Sequence, residues 1–452
     1  MANHKEQTMT KGNIWKQIIW FSVPLLIGNL FQQLYNTTDS VIVGNFVGKE
    51  ALAAVGSSGN LINLIIGFFI GMTSGAGVVI AQYYGGGRLD KMKISIHTSL
   101  WFCTIGGAVM TVAGVALTPW ILKLMGTPPE VLPNSVTYLR IYFFGSIFNI
   151  IYNMGAGILR SIGDSRRPLY YLIISSLVNI VLDVVLVVVF RMGVAGVGIA
   201  TVFAQFVSCF CVMFTLVRSK ESYHVNLKEV RCDRQMLKRI LHMGIPSGLQ
   251  STIVSLSNVV VQSNINSFGA DAMAGYGVYA KVDNFTMIPI TSLALAATTF
   301  TGQNYGAKQA KRIRKGVREC VILGVSYALF IGVVNFTFIG VFAQLFTRDA
   351  EVLRYATIIA RIMALPGYVA LVANQLYLGV VRGMGDTVKP MIISITSLCF
   401  IRMLWISLTV PLTRDIRFVF IGYPLTWAIA AVAEAFIYYR KSRHNFYLDE
   451  SI

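Results

Sequence analysis

The chain has 452 residues, of which 55% are hydrophobic and only 13% charged. A soluble chain is about 45–50% apolar and about 25% charged, so too little polar surface is present here to cover a water-facing globule. The net charge of +18, from 38 Lys+Arg against 20 Asp+Glu, fits basic residues crowded into short cytoplasmic loops and not a nucleic-acid partner.

Apolar windows between charged or Gly/Pro-rich breaks predict an all-α integral membrane protein with twelve spans. They run over 14–42, 52–84, 95–117, 136–159, 169–190, 193–217, 237–265, 273–301, 318–342, 356–381, 390–412 and 418–440. A short polar tail leads into the first span with no small-residue cleavage site, so this segment reads as a membrane helix and not a signal peptide. Most Lys and Arg fall on the side of that tail, which predicts both termini in the cytoplasm of a multi-pass cell-membrane protein. The six cysteines form no CxxC pair and read as small buried hydrophobes, and the five histidines (4, 97, 224, 242 and 444) show no metal-ligand spacing.

In the first span, Pro24 removes one backbone bond. Beyond it, Gln32, Tyr35, Asn36 and Asp39 form a polar stripe at helical spacing, which should face a bundle interior. Asp39 lies about 35 Å from the start of the helix, in the outer half of the membrane. Burying an Asp mid-span costs about 2.5–3.5 kcal/mol on insertion scales, so such an acid is a functional candidate. The second span places Gly67, Gly71 and Gly75 on one face, a close-packing surface. "YYGGGR" after it is a turn, since no GxxxxGK[ST] follows and no soluble ATPase domain is present.

Asp183 in the fifth span sits one turn beyond Asn179 on the same face. Thr201, near the start of the sixth span, can reach the same level because the "RMGVAG" turn makes these two spans antiparallel neighbours. Asp39, Asn179, Asp183 and Thr201 would offer two carboxylates, an amide and a hydroxyl. That set suits a hard cation or a shared proton, or else an internal network that glues helices. In the eighth span Lys281 and Asp283 point to different faces. Asp283 either pairs with Arg402 of the eleventh span or lines a cleft and attracts a cationic substrate. Glu434, two turns from the end of the twelfth span, is expected to snorkel to the headgroups.

The polar stretch Arg218–Arg239 separates six spans from six, giving bundles 1–230 and 231–452. "NFVGKEALAAVG" (45–56) returns as "NSFGADAMAGYG" (266–277), "AQYYG" (81–85) as "GQNYG" (302–306), and "GILRSIGDSRRP" (157–168) as "GVVRGMGDTVKP" (379–390). An even number of spans per half makes the repeat parallel, with a pseudo-two-fold axis along the membrane normal and a central cleft suited to alternating access. The acids are not duplicated: the offset takes Asp183 to Trp405, and Asp39 to Val260 or Val261. Asp164 and Asp386 are repeated, as helix caps before Pro168 and Pro390.

The twelve spans, the "P…QQLYNTTDSVIVG" segment, the paired R-x-x-G-D-x-x-x-P loops and the GQxYG element resemble the multidrug and toxic compound extrusion (MATE) family over essentially the whole chain. The resemblance implies export of amphipathic, often cationic compounds in exchange for Na+ or H+, with no cofactor beyond the coupling ion. It carries the cation site onto Asp39 and Asp183, which would bind Na+ directly if sodium is the ion. Asn179 and Thr201 match its polar companions, with Tyr35, Tyr138 and Asn153 further out. Some members place acids in the seventh and tenth spans, where this chain has none. The expected partners are small organic substrates and the lipid bilayer, with the protein a monomer. A flippase for a lipid-linked precursor, on the same kind of fold, would want basic groups facing a phosphate. A membrane enzyme would need an oxyanion or metal constellation that the sequence lacks.

Overall fold

The computed structural model describes residues 8–443, the side chains of Lys49, Ser57, Asn60 and Asn63 excepted. Every regular element among the described residues is helical: α1 (Ile14–Phe46), α2 (Lys49–Gly85), α3 (Leu89–Leu124), α4 (Leu132–Phe144), α5 (Ser146–Ser161), α6 (Arg166–Asp183) and α7 (Gly193–Arg218), then α8 (Arg234–Asn266), α9 (Ala270–Gly306), α10 (Ala310–Gln344), α11 (Ala350–Gly383), α12 (Val388–Ser394), α13 (Arg402–Thr413) and α14 (Arg417–Arg443), with a 3-10 turn at Leu227–Glu229. Two π-helical stretches interrupt this series. Val184–Val189 continues α6 directly after Asp183, and Ile395–Ile401 joins α12 to α13.

Counting each joined pair once gives twelve helical stretches among the described residues. Ten are long and apolar enough to cross a membrane, and α4 with α5, bent by 46°, makes an eleventh. The stretch left over, α8, is 33 residues long, but its Ser, Gln and Asn residues dilute the apolar run. The helices overrun the predicted spans because their charged ends continue in helical form past the apolar core, as in α10, which begins at Ala310 with Lys and Arg in its first turns. Large apolar side chains such as Val112, Trp120, Phe210 and Phe330 are exposed, as expected of helices whose solvent is lipid.

The chain divides into two compact units. The first holds Pro24–Tyr84 and Arg88–Gly248, and the second holds Thr8–Val23, Gly85–Gly87 and the chain from Leu249 onward. In the first unit, α3 packs on α4 and α5, and α7 on α4, α5 and α6. Small residues permit the closest approaches. A Cβ on Gly71 or Gly75 of α2 would fall 2.5 Å from the backbone of Gly248 or Gly244 of α8, so these helices meet main chain to main chain. At the bend between α4 and α5, Gly145 leaves room for Val202 of α7. In the second unit α11 is central, flanked by α9, α10 and α14.

The repeat read in the sequence is repeated in backbone conformation. Gly48 and Gly269, 221 residues apart, both take positive φ (113° and 97°), and so do Gly163 and Gly385, 222 apart (98° and 85°). The Asp after each of the latter turns the chain into the next helix. Asp164 Oδ1 accepts from the N–H groups of Arg166 and Arg167 at 3.0 and 3.1 Å, and Asp386 Oδ1 accepts from Lys389 N–H at 3.3 Å. Burial alone would push the Asp386 carboxyl up. The Lys389 and Lys441 ammonium groups, 2.9 and 3.3 Å away, outweigh that and hold it below the usual carboxylate range.

Candidate functional site

The first unit brings Asp39 and Asp183 together. Both are buried, at 7% and 0% exposure, and their carboxyl groups lie within hydrogen-bonding reach of each other. Among the described residues no N–H or O–H serves either oxygen of Asp183 or Oδ1 of Asp39. Two carboxylates are both acceptors, so a bond between them requires a shared proton or a cation. Asn179 lies one turn before Asp183, 1% exposed, with both amide atoms unpartnered among the described residues. Thr201 is buried and donates to Val197 O at 2.9 Å, which leaves its oxygen lone pairs available. Orphaned buried polar atoms are costly and call for an occupant. The open acceptors on Asp39, Asn179 and Asp183 are hard oxygens, fitted to a proton or a small hard cation. Among the described residues no group of three His, Cys, Asp or Glu could hold a metal ion.

Tyr138 and Tyr35 stand around the pair. The buried Tyr138 feels both carboxyls, and Tyr35 is close to Asp39 and hydrogen-bonded to Gln32. The polar stripe on α1 is narrower than its spacing implied. Asp39 and Tyr35 turn inward, whereas Gln32 and Asn36 are exposed; at 100° per residue Asn36 stands about 60° around the helix from Asp39, while Gln32 shares its face but lies two turns away. Asn153 is held within its own helix, donating to Asn149 O at 2.9 Å and Asn149 Oδ1 at 2.7 Å. Tyr142, which meets Tyr35 and the Gln205 side chain, belongs to this neighbourhood without having been anticipated. Its spacing of four from Tyr138 was the available signal.

The second unit carries the other charged candidates. The Asp283–Arg402 ion pair does not form. Asp283 Oδ1 accepts instead from the phenols of Tyr279 and Tyr368, both at 2.9 Å, and Asn335 Nδ2 donates to Tyr368 at 3.1 Å. Arg402, 2% exposed, donates from Nε and Nη2 to Thr426 Oγ1 at 3.1 and 2.8 Å, with its guanidinium 4.1 Å from the ring centre of Tyr423. Phenol and hydroxyl partners reach these charges first, so neither needs the other. Lys281 is exposed, its ammonium 5.1 Å from the Phe346 ring.

Glu434 does not snorkel. It is 0% exposed, 3.4 Å from Asn374 Nδ2 and within electrostatic reach of Arg382, because Asn374 and Arg382 lie on the face of α11 that α14 covers. Arg382 in turn donates to Gln250, which bonds Ser394. Arg382 stands in the repeated R-x-x-G-D element, which was the sequence signal for this cluster. His97 binds the polar stretch that follows α7: its Nε2 accepts from Asn226 N–H at 3.2 Å. His4 and His444 lie outside the described residues.

A family model described as MatE matches the chain twice, at residues 24–185 and 246–406, in register with the internal repeat. Over 437 residues the chain is 32% identical to the probable multidrug resistance protein YoeA of Bacillus subtilis, covering 94% of this chain and 93% of that one. The probable multidrug resistance protein YpnP of the same organism is 27% identical, over 97% of this chain and 98% of its own. An outward-facing multidrug resistance MATE family transporter of the MOP superfamily superposes with a TM-score of 0.91 at 24% identity, over 98% of this chain and 99% of that one. A MOP superfamily transporter from Pyrococcus furiosus gives 0.90 at 24% identity over 99% of both chains. These two likenesses speak to the fold.

Proposed function

The chain belongs to the multidrug and toxic compound extrusion (MatE) family, and from that premise we propose that it is an antiporter, exporting amphipathic, often cationic compounds in exchange for H+ or Na+. It is a multi-pass transporter of small molecules in the cell membrane and not an enzyme. In the proposed cycle the incoming ion occupies Asp39 and Asp183, with Asn179 and Thr201 completing the oxygen set. Neutralising the pair lets α1 repack against its neighbours, and that repacking is coupled to release of the drug outside. Release of the ion inside resets the protein. Asp283, with its two phenols, is the proposed attraction point for a cationic cargo. Both termini face the cytoplasm in this reading, supported by the distribution of Lys and Arg. The protein works as a monomer, since one chain supplies both bundles.

The observation that carries the reading is the pair of buried carboxyls with no donor on Asp183. One charge moving through 100 mV releases about 2.3 kcal/mol, enough to sustain a roughly fifty-fold substrate gradient. The test is dye uptake into everted vesicles under separately imposed Na+ and pH gradients. One of the two gradients is expected to drive uptake, and Asp39→Asn or Asp183→Asn to abolish it. Gradient-driven uptake that survives either substitution would refute the assignment.

A further inference from the structure

Eight basic residues and one acid crowd one end of the second unit, over 310–319 at the start of α10 and 440–443 at the end of α14. Arg314 joins the two stretches, donating from Nε to Ser442 Oγ at 2.9 Å and from Nη2 to Ser442 O. Three of the eight are occupied within the protein: Arg314 by Ser442, Arg312 by the carbonyls of Met9 and Gly12, and Lys441 by Asp386. The acid, Glu319, is within electrostatic reach of Arg312. The other five, Lys311, Lys315, Arg318, Arg440 and Arg443, are exposed and form no ion pair among the described residues.

Spacing along the helices decides what this surface meets. Lys311, Lys315 and Arg318 stand at i, i+4 and i+7 on α10, and the same face runs on through Ile322, Leu329 and Val333, all exposed. On α14, Val432, Phe436, Tyr439 and Arg443 share one exposed face, apolar first and basic last. Exposed apolar side chains on membrane helices are solvated by lipid tails, so the cations that end these faces stand at headgroup depth. Tyr439, its phenol 3.5 Å from that of Tyr377, marks the same level, where aromatic rings favour the interface.

The general preference of Lys and Arg for one side of a membrane does not account for the cluster. The parallel repeat gives 89–98 and 218–221 of the first unit the same topology, yet those stretches carry four Lys and Arg against two acids. Lys315 and Arg318 become Ile94 and His97 there, and His97 is buried. The scaffold is duplicated and the basic surface is not.

We infer that this surface binds an anionic phospholipid. Lys311, Lys315 and Arg318 hold the phosphate, Arg440 and Arg443 flank it, and the tails lie along the apolar faces that continue from them. A soluble polyanion would meet the same charges but would leave Ile322 and Phe436 uncovered. Basic clusters at the ends of membrane helices bind anionic headgroups, and an Arg fork offers a phosphate two parallel N–H donors. The inference is independent of the export reading, since it concerns the bilayer around the protein and not its cargo.

The test is native mass spectrometry of the purified full-length protein titrated with dioleoylphosphatidylglycerol or dioleoylphosphatidylcholine. The wild type is expected to hold the first molecule of the anionic lipid at least about tenfold more tightly, since each basic residue near such a surface contributes about a factor of five. Lys311→Gln, Lys315→Gln and Arg318→Gln combined should bring the two lipids close to parity. Lys91→Gln with Lys93→Gln, in the first unit, should leave the preference as it is. A wild type without the preference overturns the inference, the result expected if residues 444–452, with Asp449 and Glu450, occupied the surface in place of a lipid. A triple variant that keeps the preference overturns it too, as does a first-unit variant that loses it equally. Should the triple variant not purify in folded form, Arg440→Gln with Arg443→Gln should weaken the preference by itself, and an unchanged ratio there is equally fatal.

Discussion

Replacing Asp183 by Asn tests the paired carboxyls through the protein's stability as well as its transport. Asp183 is fully buried, neither oxygen meets an N–H or O–H among the described residues, and its bonding neighbour is the Asp39 carboxyl. Two unit charges about 4 Å apart at an effective dielectric of about 20 repel by about 4 kcal/mol, which a shared proton or a bound cation relieves. An amide at position 183 removes one charge and gives Asp39 a permanent N–H donor, a charge-assisted bond worth about 1.5–3 kcal/mol. Asp183→Asn should therefore melt a few degrees above the wild type in detergent at low concentrations of the coupling ion. Linkage supplies the second readout. An ion present at about 100 times its dissociation constant adds about 2.7 kcal/mol to the wild type. The wild-type melting temperature should thus climb as Na+ or H+ is raised, while that of Asp183→Asn stays flat. The assay is a thermal melt followed by intrinsic Trp fluorescence across a Na+ series and a pH series. A variant that melts below the wild type, or whose melting temperature tracks the ion as the wild type's does, would refute the reasoning.

Four further outcomes are expected. Gly71→Val should lower thermal stability by about 3 kcal/mol, since the added carbon meets main-chain atoms of Gly248 that cannot swing aside, whereas Gly56→Ala, with open space around it, should hold or gain up to about 1 kcal/mol. Tyr368→Phe strips Asp283 of one donor and leaves Asn335 with Thr286 Oγ1 alone as acceptor, for a loss of about 1–3 kcal/mol read in the same melt. Arg312 donates to the carbonyls of Met9 and Gly12, so Arg312→Ala should speed tryptic cleavage after Lys11 by at least about tenfold, followed by mass spectrometry. Asp386 has its carboxyl held low by Lys389 and Lys441, so its contribution is present above about pH 4 and is lost as pH falls through the depressed folded value. Asp386→Asn should melt below the wild type at neutral pH, and the gap should close on acidification.

The fold was legible because a membrane leaves few choices: apolar length gives the helices, and turn glycines with their following acids give the repeat. The pairing of Asp39 with Asp183 followed from their depth along two helices, and Asn179 from its spacing of four. Tyr279, four residues before Asp283, was accessible to the same reasoning. Tyr368 was not, since a separation of 85 positions along the chain leaves no local trace of their contact. The expected ion pair with Arg402 failed for a related reason. Opposite charges in a sequence suggest attraction, but uncharged hydroxyl groups are too common to be weighed as competitors until their positions are known. Glu434 misled because distance from a helix end measures depth in the bilayer and says nothing about which side a neighbouring helix covers.

The wide turn over Val184–Val189 has a practical consequence for anyone engineering this helix. A π-turn carries one residue more than the α-helix it replaces, so deleting a single valine there should restore the tighter winding. Everything before the deletion, Asp183 included, would keep its place. Phe190 and the turn that follows would keep close to theirs as well, since the lost residue is the one the wide turn had absorbed. The helix thus carries one residue of slack that can be taken up without moving either the ion-binding side chain before it or the exit from the bilayer after it.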